Sequence, residues 1–175
     1  MKFVPVRALL LGALLLCLLA AGCGYRFRGQ GNSLPGGVHS VYIEMFVNRT
    51  TEPFLENRLT NAVTRRFARK REVEVAAHRS GAEAVLSGEI TVYETEPISY
   101  DRNDKVTEYR SIMTVTVVLS RLDSGKTLWK GTLSWSEEYL ADADKAIQDD
   151  RELAAEVQIS DRLSDEILSH LLENF

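Results

Sequence analysis

The side chains best able to do chemistry in this chain are three histidines, two cysteines and scattered carboxylates. Hydrolysis would need a nucleophile beside a base, or a metal held by three protein ligands. His39, His78 and His170 are remote from one another, and no two stand at the i, i+4 spacing that lets one helix face hold zinc. Asp142, Asp144, Asp149 and Asp150 suggest calcium by density alone. They lack the Gly and Glu placement of a calcium loop and read instead as a solvated loop with acids at a helix start. Glu137 and Glu138 are strand neighbours, so they point to opposite sides and make a poor acid–base pair. No Gly-rich phosphate loop precedes a helix. The expectation is a protein with no catalytic site, no metal and no cofactor. One thiol stands apart: Cys23 directly follows an apolar run and three small residues, Ala20-Ala21-Gly22.

The elements that would position these residues follow from periodicity. Val41–Phe46 is rich in β-favouring residues and reads as a first strand. A helix is expected from Thr50 or Thr51 to about Lys70, with Pro53 tolerated in its first turn. Leu55, Leu59, Ala62, Val63 and Phe67 fall on one face of it. Arg58, Arg65 and Arg69 form a flanking stripe, and Arg66, Lys70 and Arg71 crowd its carboxyl end, where cations offset the helix dipole or could meet lipid phosphate. Glu72–Ala77 is a short strand and 78–82 a turn. Alternation then places Leu86, Ile90 and Val92 on one face of a strand, opposite Ser87, Glu89 and Thr91. Residues 99–105 form a polar hairpin tip. The strand from Val106 to Leu122 is apolar enough for both faces to be covered near its end. Asp123–Lys126 turns the chain into a last strand, where Trp129, Gly131, Leu133 and Trp135 share a core-facing row. A closing helix over 150–173 carries the stripe Leu153, Val157, Leu163, Ile167 and Leu171. The fold class expected is α/β (α+β): a two-layer sandwich, with a mixed sheet of four to five strands and two helices on one face.

Composition bounds the function further. The chain has 175 residues, 45% apolar, 26% charged, with a net charge of −4. Ala8–Ala20 is apolar apart from Gly12 and follows Lys2 and Arg7, which describes an export signal. It is too short for a permanent span, which takes about 20 apolar residues. Without residues 1–22 the remainder carries 19 basic and 25 acidic residues, a balance of −6. A protein that binds polyanions by bulk charge is therefore disfavoured. Leu19-Ala20-Ala21-Gly22-Cys23 resembles the bacterial lipobox, with Ala20 where such motifs usually have Leu. The thiol takes a diacylglycerol, the small residues admit the peptidase, and the new amino group takes an N-acyl chain such as palmitate. Three acyl chains exceed what marginal membrane binding requires, so the anchor should be stable. Cys17 would leave with the signal peptide. Gly24 is not the Asp that commonly retains lipoproteins in the inner membrane, so the outer membrane, facing the periplasm, is the expected site. Residues 23–40, broken by Gly29, Gly31, Pro35, Gly36 and Gly37, are expected to be a flexible tether, with the domain over 41–175. Tyr25 and Phe27 interleave with Arg26 and Arg28, a pattern better suited to lipid headgroups than to nucleic-acid stacking.

Taken in order, Cys23-Gly24-Tyr25-Arg26-Phe27-Arg28-Gly29, Leu34-Pro35, Asn48-Arg49-Thr50-Thr51-Glu52-Pro53, Ala84-Val85-Leu86-Ser87-Gly88 and 107–115 resemble the LptE family. These are lipopolysaccharide-assembly lipoproteins that partner the LptD barrel. The resemblance implies a plug in the lumen of an LptD-like β-barrel that helps the barrel fold and contacts lipopolysaccharide during delivery. It places a basic contact at Arg102, flanked by Asp101 and Asp104, and a second at Lys145. An envelope lipoprotein of similar fold, acting as scaffold or adaptor for another outer-membrane machine, is the alternative, and a periplasmic hydrolase a third.

Overall fold

A computed structural model describes residues 34–173. The expected signal peptide, Cys23 and the segment 24–33 lie outside the described residues. The elements are β1 (Ser40–Ile43), β2 (Val47–Asn48), α1 (Leu55–Ala68), β3 (Glu74–Val75), β4 (Ala84–Tyr100), β5 (Val106–Arg121), β6 (Thr127–Leu140) and α2 (Lys145–Glu173). The sheet order is β3-β1-β4-β5-β6, with β2 also against β4. β1 lies parallel to β3 and β4, and β4, β5 and β6 form an antiparallel meander. Parallel neighbours require a crossover, which α1 supplies, whereas tight turns suffice for the meander. Both helices lie on one face and pack against each other, giving the two-layer α+β sandwich.

The core is built from the expected rows. Leu55, Leu59, Ala62, Val63 and Phe67 are all buried on α1, and Trp129, Leu133 and Trp135 pack partly buried against the same cluster. Each fully buried large apolar side chain contributes about 1.5–3 kcal/mol, against roughly 0–1 for an exposed ion pair, so burial decides the packing.

Seven details depart from the periodicity. The first strand stops at Ile43 because Phe46 swings in to cover Gly88, and the chain resumes as β2. α1 begins at Leu55, not Thr50 or Thr51. The Asn48 amide organises the intervening turn: its Oδ1 accepts from the Thr50 amide (3.0 Å) and hydroxyl (2.8 Å), and its Nδ2 donates to the Glu52 carbonyl (2.7 Å). Phe54 then enters the helix from the left-handed region (φ 68°). α2 begins at Lys145, where the Asp144 carboxylate accepts the Ala146 amide at 2.9 Å. Asp144 thereby caps the helix, and Asp142 pairs with Arg151. The acidic run therefore serves the helix start.

Val92 does not share a face with Leu86 and Ile90. The β4–β5 register shifts between Ile90 and Val92, so Thr91 is an extra residue. Beyond this bulge Tyr93 and Thr95 take the helix-facing side, opposite Met113 and Ser111. β5 is likewise fully buried on one face only, at Ser111, Met113, Val115, Val117 and Leu119. On α2, Leu153 and Val157 are exposed, while Ala155, Ile159, Leu163, Ile167 and Leu171 face inward. Finally, Leu34 and Val38, expected in the tether, are buried in the core. The packed domain thus includes residues N-terminal to the expected boundary at 41.

Candidate functional site

The sequence directs attention to Arg102, Lys145 and the helical arginines, and the fold separates them into different environments. Arg102 sits at the tip between β4 and β5. Asp101 does not neutralise it: its carboxylate accepts the backbone N–H groups of Asn103 (2.7 Å) and Lys105 (3.0 Å). Those two bonds hold the Asp101 pKa below the usual carboxylate range. Asp104 adopts φ 57°, closing the turn. Arg102 and Lys105 are exposed, and among the described residues neither makes an ion pair. Lys105 was not singled out in the sequence. Its signal was its place inside the same turn, which brings a second cation beside Arg102.

Lys145 reaches the same end of the sheet, since Glu108 pairs with Leu140 and the Ala141 amide donates to the Thr107 carbonyl. Its ammonium is already engaged by Asp149 at 2.7 Å, and that contact raises its pKa. Three helical arginines are engaged as well. Arg58 pairs with Glu156 (2.6 Å), Arg65 with Asp161 (3.3 Å) and Arg66 with Asp165 (2.6 Å), a ladder joining α1 to α2. Further down the sheet, Arg110 lies between Glu138 (2.7 Å) and Glu96 (3.6 Å).

Beneath the first half of α2 the core turns polar. Thr95 Oγ1 and Ser111 Oγ are 2.7 Å apart, Thr95 donates to Glu152 (3.0 Å), and the Tyr93 hydroxyl donates to Ser111 (3.3 Å). Burial raises the Tyr93 phenol well above its ordinary value. Glu156, almost fully buried, has its pKa pushed up to about 7, chiefly by desolvation, with Glu52 and Glu152 adding repulsion and Arg58 opposing. A folded pKa above the unfolded 4.5 means that the native state holds the proton more tightly. Its stabilising contribution is complete below about pH 4.5 and is lost as pH rises to about 7. The loss is on the order of a few kcal/mol. Glu156→Gln is expected to flatten this decline in denaturant titrations run across pH 4.5 to 8. An unchanged pH slope in the variant would remove Glu156 as its source. No group of three His, Cys, Asp or Glu among the described residues could hold a metal.

What the arrangement presents is a packed sandwich with two cations, unpaired among the described residues, at the β4–β5 tip. Comparison places this architecture among known domains. A lipoprotein B from Nitrosomonas europaea aligns with 18% identity and a TM-score of 0.53, covering 85% of this chain and 90% of that one. The protein CT253 from Chlamydia trachomatis aligns with 13% identity and a TM-score of 0.56, covering 75% and 94% respectively. At such identities the likeness shows the fold. No curated protein sequence matches the chain. The class is thus an α+β domain of a kind that bacterial lipoproteins carry. The family is narrower: the sequence model of the LptE family, described as lipopolysaccharide-assembly, matches residues 38–171, and the chain belongs to that family. It is a family of non-catalytic envelope lipoproteins.

Proposed function

We propose that this chain is an outer-membrane lipoprotein, acylated at Cys23, that fills the lumen of an LptD-like β-barrel, helps it assemble and assists delivery of lipopolysaccharide. The observation that carries the reading is the family match over residues 38–171, nearly all of the described domain. The fold suits the role: a rigid sandwich supplies a filling body, and Arg102 and Lys105 at the β4–β5 tip supply donors for phosphorylated sugars. Lys145 is the weaker of the two expected contacts, because an anion must displace Asp149 to reach it.

Affinity purification from detergent-solubilised outer membranes tests the central claim. An LptD-like barrel is expected in stoichiometric amount, identified by mass. Recovery of the protein without a barrel would overturn the plug, and recovery with a different machine would favour the adaptor alternative. With purified protein, Arg102→Glu is expected to weaken lipopolysaccharide binding by about tenfold, the size of one charge-assisted hydrogen bond. Unaltered binding would reject that contact.

A further inference from the structure

The cations at the carboxyl end of α1 are not all absorbed by the helix ladder. Arg65 and Arg66 are paired to α2, but Arg69, Lys70 and Arg71 are exposed and make no ion pair among the described residues. They follow one another directly where α1 ends, and the Lys70 amide donates to the Phe67 carbonyl to close the turn. Three adjacent unpaired cations exceed what a helix dipole uses, because that field decays within the last turn.

Their place in the fold matters more than their number. The chain enters the described domain at Leu34, and the first segment runs to His39 before β1. The Glu74 amide donates to the His39 carbonyl at 2.8 Å, so the chain leaving 69–71 passes beside the entering segment. Arg121 donates to the Gly36 carbonyl, which brings the β5–β6 turn and its exposed Lys126 to the same end. The anions at this end are Glu72, Glu74 and Asp123, with Glu83, which accepts the His39 amide (2.8 Å) and keeps its charge, so the positive character is local to 69–71. The Arg102 tip lies at the other end of β4, about 50 Å away at the ordinary rise of a strand.

The amino end of the sequence complements this geometry. Only residues 23–33 separate Cys23 from Leu34, a stretch that reaches at most about 40 Å fully extended. It carries Arg26 and Arg28 and no acid. An acyl chain on Cys23 would hold the Leu34 end within that distance of the lipid surface. We infer that the end of the domain bearing Arg69, Lys70 and Arg71 is a membrane-apposed face that docks on phosphate-bearing lipid headgroups. Where no barrel is engaged, the domain then stands on the bilayer by this end, with the β4–β5 tip directed away. The inference rests on acylation of Cys23, because the anchor supplies the high local concentration that lets a few cations act. Each Lys or Arg near an anionic surface favours apposition about fivefold, so three together favour it about a hundredfold, and salt screens the effect.

The test uses the full mature lipoprotein in vesicles, with acylation of Cys23 verified beforehand by intact mass. A single thiol is introduced by Ser124→Cys at the docking end or by Asn103→Cys at the tip, and labelled with a fluorescent donor. The vesicles are phosphatidylcholine with or without phosphatidylglycerol, and carry a headgroup-linked acceptor. Energy transfer from position 124 is expected to rise when phosphatidylglycerol is present, while transfer from 103 stays low. The combined change Arg69→Gln, Lys70→Gln and Arg71→Gln is expected to return position 124 to its value in neutral vesicles, as is high salt. Charge reversal of the same three residues to Glu should lower it further. Equal transfer from both positions, or no response to the triple change, would overturn the docking face. If the mass shows no lipid on Cys23, the anchor reading fails separately. Flotation of the unlabelled chain with phosphatidylglycerol vesicles then judges the cations, and equal flotation of native and triple-Gln chains would reject them.

Discussion

Cys23→Ala is expected to abolish incorporation of labelled palmitate and to remove the protein from the outer-membrane fraction. In the proposed lipoprotein the thiol would accept diacylglycerol, and no other residue near the expected cleavage site could replace it. One acyl chain gives only marginal, reversible membrane binding, whereas the three expected on Cys23 hold the protein firmly, so their loss is close to all-or-none. Fraction density is the measurement to read. A precursor whose signal stays uncut remains in the inner membrane, and simple pelleting would not distinguish it. Cys17→Ala is the control: that residue lies inside the proposed signal, and its replacement should change neither lipid incorporation nor fractionation. Unchanged outer-membrane recovery of the Cys23 variant would end the lipoprotein assignment for this chain.

The second large effect is expected at Gly88. A Cβ there would lie 2.1 to 2.8 Å from three atoms of the Phe46 ring, well inside van der Waals contact. Phe46 is 1% exposed and enclosed by the core, so the ring cannot retreat without displacing its neighbours. The obstacle is steric, because Gly88 is not among the glycines with positive φ. Overpacking of a closed core costs about 1–3 kcal/mol, and a branched side chain placed this close belongs at the upper end. Gly88→Val should therefore lower Tm by about 6–12 °C in thermal unfolding followed by circular dichroism. Gly81→Ala should do almost nothing, since no atom lies within 4 Å of the added Cβ. Adding Phe46→Leu to Gly88→Val should recover part of the loss. A Gly88→Val protein melting like the native chain would show that Phe46 does not occupy this site in solution.

Periodicity carried most of the fold where one face is uniformly apolar. The α1 stripe and the β6 row needed no tertiary information, because each element packs against the core along its whole length. It failed where the lining of the core changes chemistry. Past Thr91 the helix-facing side of β4 is Tyr93 and Thr95, so the most apolar residue nearby, Val92, pointed to the wrong face. The same polar seam misled the reading of α2. The helix buries Ala155 and Glu156 there and leaves Leu153 and Val157 outside, against any ranking by hydrophobicity. Leu34 and Val38 were hidden among glycines and a proline, whose turn signals describe the backbone and not what the side chains reach. The candidate contacts were legible only through family resemblance. The i,i+4 spacing of Lys145 and Asp149 is a local sign of that pairing once the helix is known to start at Lys145, whereas nothing local shows that Asp101 turns to the backbone and leaves Arg102 unpaired.

The β4–β5 hairpin is stiffened almost to its end. β6 follows it as far as the Glu108–Leu140 pair, and the Ala141 amide still donates to the Thr107 carbonyl, so only the Tyr100–Val106 pair and the turn 101–105 lie beyond the third strand. Three strands resist twisting better than a lone two-stranded ribbon, which has little independent rigidity. Compliance is thereby confined to the turn itself, and Arg102 and Lys105 are carried on a firm arm. Because the turn is exposed, its residues can change in sequence at little cost to the stability of the body.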